Sequence, residues 1–135
     1  MPETPTVLIV EDESDIRHFI ARVLELEGYN VLTAGDGPAG LDLLRGNPVS
    51  LVLLDLRLPG MDGWTVLREI KGDAALSGIP VVVLTAIAEA IQRKKTLRMG
   101  ALKYLVKPLS AGILSQTVAE VLRQQGRPLE PAVAE

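Results

Sequence analysis

Three short runs, Thr6–Val10 (TVLIV), Leu51–Leu54 (LVLL) and Pro80–Leu84 (PVVVL), are apolar almost without a break and rich in β-branched residues. A strand with one face in water alternates polar and apolar residues, whereas a strand covered on both faces has no need to. These runs therefore predict a parallel sheet with helices on either side. Asn30–Ala34 (NVLTA) and Lys103–Val106 (KYLV) read as weaker strands. Between the strands the period changes. Ile16, Phe19, Ile20, Val23 and Leu24 make a helical stripe, and Leu41 and Leu44 mark a second helix with Pro38 in its first turn. Val66, Leu67 and Ile70 mark a third helix, and Ile113, Leu114, Thr117, Val118, Val121 and Leu122 mark the last. The stretch from Ile87 to Met99 predicts a helix with a thin apolar face, because Gln92–Lys95 (QRKK) interrupts its stripe. Five βα units with right-handed crossovers give a doubly wound, three-layer α/β domain.

A length of 135 residues suits one domain with one core. Lys and Arg number 14 and Asp and Glu 17, a net charge of −3, so there is no global attraction to nucleic acid or anionic lipid. The chain has no cysteine, which excludes disulfides and thiolate metal sites. Its start, MPETPTVLIVEDE, has an acidic flank and too short an apolar run for a secretory signal. No stretch approaches the ~18 apolar residues of a membrane span. A soluble cytoplasmic protein is the expectation. The domain is expected over 1–125, and the Pro- and Ala-rich stretch 126–135 is expected to be a disordered tail or linker stub.

The second run ends on a charge, Asp55, immediately before Pro59, Gly60 and Gly63 force the chain to turn. Burying a carboxylate is costly, so its place needs a reason. In a parallel sheet the C-terminal ends of all strands share one edge, and ligands bind in the crevice there. Glu11 and Asp12 follow the first strand, Asp55 the third, Thr85 ends the fourth, and Lys107 follows the fifth. In the strand order 2-1-3-4-5 the first and third strands flank the switch point, and the three acids meet across it. Adjacent carboxylates repel, so at least one should resist ionisation. An oxygen-only cluster favours a hard cation, Mg²⁺ above all. A divalent metal, a lysine and a hydroxyl around a carboxylate suit phosphoryl transfer, in which a carboxylate can itself be the nucleophile.

VLIVEDE, LLDLRLPGMDG, VVVLTA and GALKYLVKP, in this order and spacing, resemble the receiver domain of two-component response regulators over about Val7–Gln125, of the stand-alone chemotaxis-regulator type. The resemblance implies a flavodoxin-like fold with five parallel strands in the order 2-1-3-4-5. It implies that Asp55 is the phosphoacceptor. Mg²⁺ would be held by Asp12, Asp55 and the backbone carbonyl of Arg57, with Glu11 acting mostly through a metal-bound water. Lys107 would pair with phosphoryl oxygens, and Thr85 and the backbone N–H of Ala86 would hydrogen-bond the phosphoryl group. Tyr104 matches the switch aromatic, which relatives bury as Thr85 moves toward the phosphate. The Lys107–Pro108 bond is often cis in such proteins. Leu58 stands where Met is frequent, and Glu11 replaces the more usual Asp. Arg57 and Ile87 match positions that tune how readily water reaches the phosphoryl group.

The resemblance also implies partners: a histidine kinase or histidine phosphotransfer protein as donor, and an unknown protein target contacted through the fourth helix, fifth strand and fifth helix. No direct nucleic-acid or membrane contact is expected, and the chain is expected to be a monomer or weak homodimer. It would be a phosphorylated switch rather than an enzyme. The residues also have plainer readings. Glu13 or Ser14, and less so Asp12, could cap the first helix, Asp62 is the better turn residue beside Gly63, and His18 reads as surface. Arg93, Lys94, Lys95, Arg98 and Lys103 form either a solvated face or a docking surface. Two other function classes remain: a metal-free adaptor that keeps the fold but is never phosphorylated, and a haloacid-dehalogenase-type phosphatase, which would want an acid where Arg57 stands. A flavodoxin-like FMN carrier fits less well, since acids stand where a phosphate-cradling loop is needed.

Overall fold

The computed structural model describes residues 4–125. The strands are β1 (Thr6–Val10), β2 (Asn30–Ala34), β3 (Leu51–Leu54), β4 (Val81–Thr85) and β5 (Lys103–Val106). Alternating with them are α1 (Ser14–Leu26), α2 (Gly37–Gly46), α3 (Gly63–Gly72), α4 (Ala90–Arg98) and α5 (Ala111–Gln125). All strand pairs are parallel, in the order β2-β1-β3-β4-β5. That order explains the two weak strands. β2 and β5 are the edges, partly open to solvent, so Thr33 and Lys103 are tolerated there. β1, β3 and β4 are covered on both faces, and β3 and β4 are buried at every residue.

Successive residues of a strand serve opposite layers. Val7 and Ile9 pack with Leu51 and Leu53 against Ile20 and Leu24 of α1 and Leu114, Val118 and Val121 of α5. Leu8 and Val10 pack with Val52 and Leu54 against Leu41 and Leu44 of α2 and Val66, Leu67 and Ile70 of α3. This is the expected three-layer sandwich. The expected tail, 126–135, lies outside the described residues. No helix among the described residues is long and apolar enough to cross a membrane.

Local details refine the expectations. β4 begins at Val81, not Pro80, and runs through Thr85, which pairs with Val106. Pro80 has no N–H for the ladder, although its carbonyl accepts from Val52 N–H at 3.0 Å. α4 is shorter than the expected Ile87–Met99, because the backbone of Ile87 is held by two side chains instead of a helical turn. Phe19 and Ile113, assigned to the apolar stripes, are 46% and 51% exposed. They sit at the margins of α1 and α5, while their neighbours Ile20 and Leu114 take the core positions. Glu13 occupies the N-cap of α1, but neither it nor Ser14 supplies a side-chain cap. Asp62 caps α3, accepting from Thr65 N–H at 2.8 Å, and Pro38 sits in the first turn of α2 as expected.

Candidate functional site

The β3–α3 turn fixes Asp55. Its backbone N–H donates to Val10 C=O at 3.0 Å, which ends the sheet ladder between β1 and β3. Beyond it, Leu56 is buried and its carbonyl accepts from Gly63 N–H at 2.9 Å. The start of α3 is thus pressed against the Asp55–Leu56 peptide, and Gly60, at φ 75°, lets the intervening loop turn back.

Asp55 is 4% exposed and Glu11 1%, so both carboxylates need partners. They share one. Lys107 Nζ lies 2.6 Å from Glu11 Oε1 and 2.9 Å from Asp55 Oδ2. The remaining oxygens take backbone donors: Arg57 N–H reaches Asp55 Oδ1 at 3.1 Å, and Glu13 N–H reaches Glu11 Oε2 at 3.1 Å. Asp12 is exposed at the mouth. Asp12, Asp55, Arg57, Ala86 and Lys107, with Glu13, line a cavity of about 230 Å³. One carboxylate oxygen each from Glu11, Asp12 and Asp55 falls within 4.8 Å of the others. These donors are all oxygen, and Asp12 is open to solvent, which fits a hard divalent cation such as Mg²⁺.

The electrostatics follow from that crowding. Burial pushes the Glu11 carboxyl above the ordinary carboxylate value, and repulsion from Asp55 adds to it. The Lys107 ammonium and the Glu13 N–H pull the other way without cancelling the rise. The net effect on Glu11 is a carboxyl held above its ordinary value. For Lys107, burial opposes the charge, but the hydrogen bonds to Glu11 and Asp55 outweigh it and hold the ammonium above the ordinary lysine value. The Lys107–Pro108 peptide is cis.

Residues 7–119 match the family model of the response regulator receiver domain. The chain belongs to that family. A receiver domain protein (CheY-like) from Methanospirillum hungatei superposes with a TM-score of 0.88 at 28% identity, over 93% of this chain and 99% of that one. A probable transcriptional regulator, ycf27, from Guillardia theta is 38% identical over 121 residues, 90% of this chain and 46% of the relative. The transcriptional regulatory protein CseB of Streptomyces avermitilis is 36% identical over 131 residues, 97% of this chain and 54% of the relative. The receiver spans about half the length of the curated relatives it matches.

Thr85 and Tyr104 make their hydrogen bonds to the backbone of Ile87 rather than to the acids. Thr85 is fully buried, and its Oγ1 accepts from Ile87 N–H at 3.2 Å. Tyr104 is 7% exposed and its hydroxyl donates to Ile87 C=O at 2.6 Å. The two side chains therefore grip one residue from opposite ends of its backbone. Tyr104 is turned inward. His18 is exposed, as expected.

Two features were missed in the sequence. Trp64 of α3 donates from Nε1 to Thr96 Oγ1 of α4 at 3.0 Å, and Lys95 Nζ lies 4.5 Å from the centre of the Trp64 ring. One member of the basic run is thus engaged with an aromatic ring, and Lys103 pairs with Glu120 at 3.8 Å, while Arg93, Lys94 and Arg98 are exposed. A single threonine, Thr96, directly after the polar run Gln92–Lys95 was the available signal. The second is Arg17, whose guanidinium bonds the carbonyls of Glu11 and Asp12. Its long side chain beside the Ile16 and Ile20 stripe, one turn past the acids, was the only hint.

Proposed function

We propose that this receiver is a phosphoacceptor switch, loaded at Asp55 from a phosphohistidine on a sensor kinase or a phosphotransfer protein. The observation that carries the reading is the buried Asp55 carboxylate, at the open end of the sheet, 2.9 Å from a lysine ammonium and clustered with two further acids. A carboxylate oxygen of Asp55 attacks phosphorus. The O–P bond forms as the N–P bond of the phosphohistidine breaks, and the imidazole leaves with the bonding electron pair and takes a proton from water. Glu11, Asp12, Asp55 and the Arg57 carbonyl would hold Mg²⁺, which neutralises phosphoryl charge when bound.

Lys107 then exchanges its hydrogen bond to the Asp55 carboxylate for one to a phosphoryl oxygen. The Ala86 N–H supplies a second donor from the cavity wall. Thr85 turns from Ile87 N–H to the phosphoryl group, which releases one of the two side chains gripping Ile87. The β4–α4 loop is freed to repack, and Tyr104 and α4 follow. Ile91, Leu97, Leu102, Val106 and Ile113 leave apolar side chains exposed on α4, β5 and α5 or the loops between them, and this supports a protein-docking face there. A transcriptional role of the kind named for the relatives would lie in the part of those proteins that the receiver does not cover. The reading places the receiver in the cytoplasm, with the chain modified in the reaction rather than turning over a substrate.

The test is phosphorylation by acetyl phosphate, followed by intact mass. One phosphoryl adduct is expected with Mg²⁺ and none with excess EDTA. A protein that takes no adduct and binds no Mg²⁺ would make the unphosphorylated adaptor the better reading.

A further inference from the structure

We propose, on the reading that Glu11, Asp12 and Asp55 hold Mg²⁺, that Arg17 is a positioning residue that pins the β1–α1 turn in its cation-binding shape. Arg17 Nη1 donates to Glu11 C=O at 2.8 Å and to Asp12 C=O at 3.3 Å. The Asp12 carbonyl and the Glu13 N–H belong to one planar peptide unit and point in opposite directions. Arg17 holds the carbonyl end of that unit, and the Glu11 carboxylate holds the N–H end at 3.1 Å. The peptide is therefore fixed at both ends, and its N–H aims the Glu11 carboxylate. With Oε2 on that N–H, Oε1 is left for Lys107 at 2.6 Å. Arg17 is itself braced from below: it is half-buried, and its backbone N–H donates to Glu13 C=O at 2.9 Å. A Cβ added at Gly35, in the β2–α2 turn, would lie 3.5 Å from Nη1, so that turn walls the guanidinium in. The N-cap residue of α1 makes no side-chain cap, so Arg17 and the Glu11 carboxylate are the side chains that order the turn.

Charge and positioning predict opposite signs. Arg17 is a cation near three acids, so removing its charge should by itself favour a bound cation. Weaker Mg²⁺ binding in Arg17→Met can then come only from a disordered turn. The methionine keeps much of the apolar stem. Partners that orient metal ligands typically account for about 10–100-fold in affinity.

The experiment is calorimetric titration of the receiver with Mg²⁺ in the absence of any phosphodonor, for the parent, Arg17→Met, Arg17→Lys and Arg22→Met. Arg22 is an exposed arginine on the same helix and controls for charge. The expected result is an affinity about tenfold weaker in Arg17→Met, partly recovered in Arg17→Lys, and unchanged or slightly tighter in Arg22→Met. In acetyl phosphate reactions the Arg17→Met defect should disappear at saturating Mg²⁺. Far-UV circular dichroism establishes that each variant is folded. Equal Mg²⁺ affinity in parent and Arg17→Met would overturn the role of Arg17 alone. A parent that binds no Mg²⁺ would overturn the metal reading and this role with it.

Discussion

Gly63→Ala should unfold the receiver at markedly lower denaturant, with a loss of about 3 kcal/mol or more. A Cβ at this position would lie 2.3 Å from the Asp55 carbonyl oxygen and 2.4 Å from Leu56 Cα. Both are backbone atoms, so no side chain can swing aside. Relief requires α3 to back away from the β3–α3 turn. That movement breaks the 2.9 Å bond from Gly63 N–H to Leu56 C=O and disturbs the peptide that carries Asp55. Stability and phosphorylation rate should therefore fall together. Gly72, at the other end of the same helix, has nothing within 4 Å of an added Cβ. Gly72→Ala should be neutral, or stabilising by about 0.4–1 kcal/mol through reduced unfolded-state entropy. Urea unfolding of the two variants checks the contrast, and equal midpoints would contradict it.

The second large effect is expected at Lys107. Its side chain is 14% exposed and serves Glu11 and Asp55 together, whose side chains are 2% and 5% exposed. Lys107→Met leaves two buried carboxylates without their cation. Removing one partner of a buried pair costs about 3–5 kcal/mol, and access of water through the cavity mouth puts the expectation at the lower end. The pH dependence follows from Glu11. Its carboxyl already titrates above the ordinary value because of burial, and without Lys107 it rises further. A raised carboxyl makes the folded state most favourable when protonated, and that advantage is lost as pH rises through the folded pKa. The deficit of Lys107→Met should therefore be largest at neutral pH and shrink under mild acid. Mg²⁺ should stabilise the variant more than the parent, since it restores positive charge to the same oxygens. Thermal unfolding at neutral and acidic pH, with and without Mg²⁺, measures both. A variant as stable as the parent at neutral pH would mean that Lys107 compensates nothing.

What the sequence made legible follows from what has a period or a place. The buried strands could be read because an uninterrupted apolar run is informative when both faces are covered. Thr6–Val10 and Leu51–Leu54 match their strands for that reason. Residues at strand ends were legible because a parallel sheet sends them to one edge, which brought Glu11, Asp12, Asp55 and Lys107 together. The rest turned on contacts with no period. Arg17 acts on backbone carbonyls, Thr85 and Tyr104 both act on the backbone of Ile87, and Trp64 finds one threonine on another helix. Phe19 follows the stripe of α1 in spacing, yet it sits at the edge of the helix face and stays half in solvent.

The central claim is that Asp55 accepts the phosphoryl group while Glu11 and Asp12 do not, although all three stand within one cluster. Borohydride reduces an acyl phosphate on an aspartate to homoserine, which peptide mass mapping locates. After acetyl phosphate and Mg²⁺, the account predicts conversion at Asp55 alone and none in Asp55→Asn. Reduction at Asp12 or Glu11 in the parent, or an adduct that survives in Asp55→Asn, would contradict it.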